Sequence, residues 1–263
     1  MSVFQAILIA LFVYLGAIGS IVGNTIGWYN LGRPLVAAFV VGVILGNVPL
    51  ALELGLLLQL AYLGSVTPGG AMAWDLSYAS YIGVAGALVF GTDFATAQGF
   101  VWIFAGIGGA IGVAMWNLSY ALNIFLNRIA QKGADEANTK KMFVANVIGG
   151  QSIGFVLRFV PALVVLLTIS ATGGTNLAEI IPVWLTTGLS IFGGMMAALG
   201  MGILLAFLAK KKIHFAIFMF GFILIAYFGG QLTMLGVAVI ASIIAFIYYT
   251  IVDKQKKTSG GAL

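Results

Sequence analysis

PLVAAFVVGVILGNVPLALELGLLLQLAYLGSVTPGGAMAWDLSYASY, residues 34–81, decides the fold. It opens with two apolar runs, 34–46 and 50–63, parted by Asn47-Val48-Pro49. Each run holds roughly 13–14 residues, whereas about 20 are needed to cross a bilayer as a helix. Two short halves meeting at a Pro-containing break read as a re-entrant hairpin or as two tilted helices. Irregular backbone at membrane depth is tolerated only where protein or a water-filled cavity covers it. Broken helices of this kind mark substrate sites in many transporters. From the second half of the hairpin onward, Gln59, Ser65, Thr67, Pro68, Gly69, Gly70, Trp74 and Asp75 fall close together. In so apolar a chain, that cluster is the place where a polar solute would be handled.

The surrounding sequence supplies the membrane context. Hydrophobic residues make up 62% and charged residues 7%, with a mean hydropathy of +1.13. Apolar runs of membrane-spanning length recur without strand-like alternation, so the expected class is an all-α, polytopic helical bundle rather than a barrel. Thirty-six glycines suit such a bundle, because close backbone approach replaces the hydrophobic effect between helices in lipid. In 98–127, Gly108 and Gly112 lie four residues apart, a spacing for tight helix contact. One membrane domain, residues 1–263, is the simplest organisation.

Outward from the hairpin, residues 4–22 read as a retained first helix and not as a cleaved leader. Trp28 and Tyr29 suit an interface. Arg33-Pro34 starts a helix, since Pro at a first turn lacks only an N–H that would be unpaired there. Residues 76–91 form a further run, and Asp93 suits an N-cap for the next. The stretch 128–141, RIAQKGADEANTKK, reads as a cytoplasmic loop. Lys210, Lys211 and Lys212, and the tail 253–263 with Lys254, Lys256 and Lys257, return to the same side by parity across 142–170, 182–209, 213–229 and 231–252. The net charge of +5 arises from these clusters, and no nucleic-acid surface is expected.

The chemistry the sequence excludes is as useful as what it offers. There is no Cys and one His, so thiolate nucleophiles, disulfides and Cys-bearing metal sites are out. No G-x-x-x-x-G-K-[ST] loop or convincing carboxylate pair occurs. No catalytic residue, metal or cofactor is expected, and the chain reads as a pathway. Gln59 offers an amide to a sugar hydroxyl, or to a neighbouring helix. Trp74, Tyr78 and Tyr81 share one helical face, suited to a sugar ring or to an interfacial belt. Asp75 either accepts hydroxyl hydrogen bonds or caps the helix at 76. The turn 67–70 includes Thr67 and Gly70 and belongs to a cavity lining or to an ordinary loop. Arg158, in mid-span, needs a carboxylate, a carbonyl or water, with a structural pair the simpler account. His214, after three lysines, suits snorkelling at a boundary.

The stretch GRPLVAAFVVGVILGNVPLALELGLLLQLAYLGSVTPGGA resembles the IIC subunits of the mannose/fructose/sorbose/N-acetylgalactosamine family of bacterial phosphotransferase systems. Arg33-Pro34, Leu45-Gly46 before a polar residue, and the G-x-x-x-Q/E-L pattern at 55–60 carry the likeness. IPVWLTTGLSIFGGMMAALGMGILL at 181–205 and the position of the basic segment extend it over nearly the whole chain. The resemblance implies a sugar-translocating subunit that pairs with a membrane IID subunit in higher oligomers and imports a hexose or amino-hexose. Phosphate would come from IIA through a histidine of IIB. It also implies an elevator-like core beside a scaffold, in the bacterial inner membrane. Gln59 falls where relatives often carry Glu, and Asp75 where mannose and sorbose relatives carry Asp. Trp74 and the TPGG turn depart from the mannose pattern, the turn being nearer to acetylgalactosamine-type relatives. The expected substrate contacts are therefore Gln59, Asp75, Trp74, Thr67 and Gly70. An ion-coupled secondary transporter and a non-transporting membrane scaffold or receptor subunit are the alternatives.

Overall fold

The structure, a computed structural model, describes residues 1–65, 74–172, 183–229 and 234–259. Among them there are helices and turns and no strand. The chain divides into two units, Met1–Leu205 and Ala206–Leu263.

In the first unit, α1 (Val3–Leu15) begins at a capping box in which Ser2 and Gln5 satisfy each other's backbone N–H groups. It ends well short of the expected 4–22. Gly16 lies against the backbone of Gly32 at 3.1 Å and the Ser77 hydroxyl at 2.9 Å, measured from where a Cβ would stand. The chain must turn there to make that approach, and Gly19 and Gly23 supply left-handed backbone at φ 74° and 76°. A short helix, α2 (Gly23–Ile26), runs into a π-helical turn, Gly27–Leu31. Here Trp28 is buried against Leu76 instead of sitting in an interfacial belt, while Tyr29 is exposed.

The broken stretch folds as two short helices. Pro34 occupies the first turn of α3 (Pro34–Leu45) with extended Arg33 before it. Gly46 ends α3 in the left-handed conformation, and Asn47 caps α4 (Val48–Ala61) by accepting the Leu50 N–H. Gly42 meets Ala51 and Gly55 meets Ala38, so the two helices run antiparallel at close range. The segment Gly23–Leu31 and α3 are bent by 79° from one another.

Among the described residues, two continuous stretches are long and apolar enough to cross a membrane: α6 (Phe94–Asp135) and the run Thr139–Thr172. The latter comprises α7 (Thr139–Phe143), a π-helical turn Val144–Gly149, and α8 (Gly150–Thr172). The stretch expected to be a loop from 128 is helical through Asp135, because Ala, Gln, Lys and Arg dominate it and favour helix. Its break is confined to 136–138. Helix α5 (Leu76–Phe90) is almost wholly buried against α6. Asp93 caps α6 in a capping box with Thr96. Gly108 and Gly112 admit α5: a Cβ at Gly108 would stand 2.6 Å from the Tyr78 carbonyl oxygen, and one at Gly112 would collide with Asp75. Helix α9 (Val183–Leu208) lays Gly200 on the carbonyls of Leu60 and Ala61 at the end of α4.

The second unit holds α10 (Lys212–Phe228) and α11 (Met234–Ser259), with Ile217, Phe220, Leu224, Val237 and Ile240 lining an apolar groove. His214, at the start of α10, donates from Nδ1 to the Leu208 carbonyl at 3.1 Å.

Candidate functional site

The start of α5 gathers the polar chemistry of the first unit. Asp75 is fully buried. Its Oδ1 accepts the Tyr78 N–H at 3.1 Å as the N-cap of α5, and its Oδ2 pairs with Arg158 Nη1 of α8. Both readings of these residues are thus realised together: Asp75 caps its helix, and Arg158 finds a carboxylate. A charge at such depth requires a partner and satisfied hydrogen bonds. The guanidinium also lies 5.4 Å from the Tyr78 ring centre and 5.7 Å from that of Trp116, within range of cation–π attraction. Gly112 makes room for the carboxylate, with only 2.7 Å between its would-be Cβ and Asp75 Cγ.

Tyr78 is part of the same assembly for a reason that the local sequence contains. Pro161 lies inside α8 and has no N–H, so the Leu157 carbonyl four residues earlier loses its helical donor. The Tyr78 hydroxyl donates to that oxygen at 2.7 Å and to the Arg158 carbonyl at 2.8 Å. The Tyr81 hydroxyl likewise donates to the carbonyl of Leu31, the last residue of the π-helical turn, at 2.9 Å. Both rings are fully buried, so the aromatic face shared with Trp74 is divided. Tyr78 and Tyr81 are packing residues that repair broken backbone, and Trp74 alone is half exposed, at 50%.

Trp74 lies beside Tyr62, with ring centres 6.2 Å apart. Tyr62 follows α4 and stands three residues after Gln59, on the same side of that helix. The Gln59 Oε1 is buried and, among the described residues, has no hydrogen-bond partner. A buried amide oxygen without a donor is costly, and a ligand hydroxyl is one way to satisfy it. The arrangement therefore offers an amide acceptor near an aromatic pair, with the Asp75–Arg158 pair behind Trp74. Tyr62 was not singled out from the sequence, although its spacing from Gln59 carried the signal. Thr67 and Gly70 lie outside the described residues. Glu53 is exposed on α4, and no group of three metal-ligating side chains occurs among the described residues.

Short, broken and long apolar helices around a buried polar cluster define the class as a polytopic helical membrane protein. The chain belongs to the family described as PTS system sorbose-specific IIC component, whose model matches residues 3–247. It is similar to the sorbose-specific EIIC component of Klebsiella pneumoniae, with 27% identity over 99% of this chain and 94% of the relative. A solved structure titled a membrane protein matches at a TM-score of 0.76, and the mannose transporter ManYZ in complex with microcin E492 matches at 0.53. Each is 22% identical, with 95% of this chain and 96% of the other covered, and each supports the fold. The protein is thus the sugar-transporting IIC membrane component of a phosphotransferase system, a multi-pass protein of the inner membrane.

Proposed function

We propose that the chain carries a hexose or amino-hexose to the cytoplasmic side, where a IIB subunit, charged by IIA, phosphorylates it. A IID membrane subunit completes the permease, and IIC–IID pairs assemble further. Gln59 and Trp74 contact the sugar: the amide takes a hydroxyl and the exposed indole covers an apolar ring face. Asp75 completes the floor of the site beneath Trp74, with Thr67 and Gly70 shaping its turn. The α3–α4 hairpin is re-entrant and moves with the bound sugar in an elevator-like step.

The observation that carries the site is the buried, unpartnered Gln59 Oε1 on a helix too short to cross the membrane. The test is uptake into vesicles holding the IIC–IID pair, with IIA, IIB and phosphoenolpyruvate supplied. Sugar phosphate should accumulate inside, and Gln59→Ala should raise KM about tenfold or more, the loss of one good hydrogen bond to a buried acceptor. Uptake driven by a proton or sodium gradient without phosphoenolpyruvate would overturn the reading. The Asp75–Arg158 pair weighs against that alternative, because the carboxylate at this depth is already matched by a guanidinium.

A further inference from the structure

A second polar space lies against Arg158. It is a cavity of about 320 Å³ between the end of α1, the second half of α6, and the π-helical turn with α8. Its walls include Trp116, Ser119, Asn123, Asn146, Gln151 and Arg158. Arg158 is 5% exposed and, among the described residues, is the cavity's one charged wall residue. Its Nη1 is spent on Asp75, but Nη2 is buried without a partner, and so is the Trp116 Nε1. Gln151 is held in place, accepting from the Tyr14 hydroxyl at 2.8 Å and donating to the Gly19 carbonyl at 2.9 Å. The π-helical turn Val144–Gly149 brings Asn146 to the wall, and such turns recur at functional sites.

This chemistry selects a ligand class. Two buried N–H donors without acceptors call for ligand oxygens. The guanidinium is already neutralised by Asp75, so no further anion is demanded. Aromatic side chains and amides around a volume at the small end of ligand pockets fit a neutral, monosaccharide-sized polyol. Asn123 stands five residues before Arg128, about 8 Å along α6, so this space opens toward the basic segment 128–141. A small cluster joins it to the Gln59 region: Ile18 and Trp116, which line the cavity, pack with Tyr62 on Trp28 and Leu76.

We propose that this cavity is a second sugar station of the IIC chain, holding the hexose on the cytoplasmic side of the Asp75–Arg158 pair after it leaves Gln59 and Trp74. The inference rests on the transport reading given above and assigns that pathway a second, separate stop.

The absence of cysteine makes the test direct. Asn146→Cys is placed in the full chain, assembled with its IID partner in inside-out vesicles, and alkylated with a membrane-impermeant maleimide. The probes are mannose, fructose, sorbose and N-acetylgalactosamine, each alone, and inorganic phosphate. The sugar that right-side-out vesicles accumulate in the transport assay should slow alkylation at least fivefold. Val147→Cys, on the same turn but outside the cavity, should be unaffected. Ser119→Cys provides the same readout if Asn146→Cys fails to assemble. Gly154 lines the cavity and has no atom within 4 Å of a built Cβ, so Gly154→Leu fills the space without a clash and should abolish protection. Gly106→Leu, equally unobstructed and outside the cavity, should retain it. No protection by any sugar, for a complex that accumulates one in right-side-out vesicles, overturns the station. So does protection that survives Gly154→Leu, which would come from a shape change elsewhere, or equal protection by phosphate. Protection without phosphoenolpyruvate-driven accumulation would leave the station standing and remove the transport reading; loss of both removes both.

Discussion

Replacing Asp75 separates its two duties. In Asp75→Asn the amide oxygen still accepts the Tyr78 N–H, now at 3.1 Å, so the cap of α5 survives. The charge does not, and the Arg158 guanidinium, on a side chain 6% exposed, keeps no counter-ion. Breaking one partner out of a buried pair costs about 3–5 kcal/mol. Asp75→Ala removes the cap as well and should cost about 1 kcal/mol more. Arg158→Met leaves the carboxylate buried and alone, and gives up the contacts over Tyr78 and Trp116; about 3–5 kcal/mol is again expected. The double variant Asp75→Asn/Arg158→Met buries no charge. Its cost should fall below the sum of the singles by at least about 2 kcal/mol, a coupling within the range for contacting residues. The assay is equilibrium unfolding of the purified IIC–IID complex in mixed micelles of increasing denaturing-detergent content, with the folded fraction read by pulse proteolysis. Additive losses would refute the claim that the pair acts as one buried unit. A fully stable Asp75→Asn that no longer transports would refute it differently, by showing that the carboxylate serves the sugar and not Arg158.

Three further outcomes follow from named contacts. Tyr78→Phe strips the hydroxyl that serves the Leu157 carbonyl, orphaned by Pro161, and should cost about 1–3 kcal/mol in the same unfolding assay; Tyr78→Phe with Pro161→Ala should recover part of that loss, because the helix regains its donor. Gly112→Ala places a methyl group on the Asp75 Cβ, and overpacking of about 1–3 kcal/mol should lower the yield of monodisperse complex in size-exclusion chromatography, whereas Gly106→Ala should not. Asp93 is held below the usual carboxylate range, chiefly by the Thr96 backbone N–H and then by its hydroxyl. Because the folded value is the lower one, the cap's contribution is complete above the ordinary carboxylate range and fades as pH falls through the folded value. Amide exchange at Thr96, corrected for its intrinsic rate, should therefore rise on acidification in the parent protein and change little in Asp93→Asn.

The helical hairpin was legible from Pro34, the Asn47-Val48-Pro49 break and the length of each half, since those are local signals. The caps at Asp75 and Asp93 were legible for the same reason, because a side chain three residues from a free N–H needs no distant partner. Gly108 and Gly112 announced a close neighbour without naming it. The end of α1 was not legible. The apolar run continues to residue 22, and the chain leaves the helix at Gly16 because Ser77 and Gly32, distant in sequence, press against it. The face 74–78–81 was open between a sugar ring and an interfacial belt, because periodicity states which residues share a side and not what that side meets.

Composition and hydropathy were enough to establish a helical membrane protein. Residue spacing was enough to place the break at Asn47-Val48-Pro49. What only the tertiary structure decided is the pairing across 83 residues of Asp75 with Arg158, and the repair of the Pro161 break by Tyr78. The physical reason is burial. An unpaired charge or an orphaned carbonyl declares in the sequence that it needs a partner, but which partner depends on which helices come together. That choice is made by packing, where the absence of a Cβ at Gly112 lets α5 and α6 close around the carboxylate.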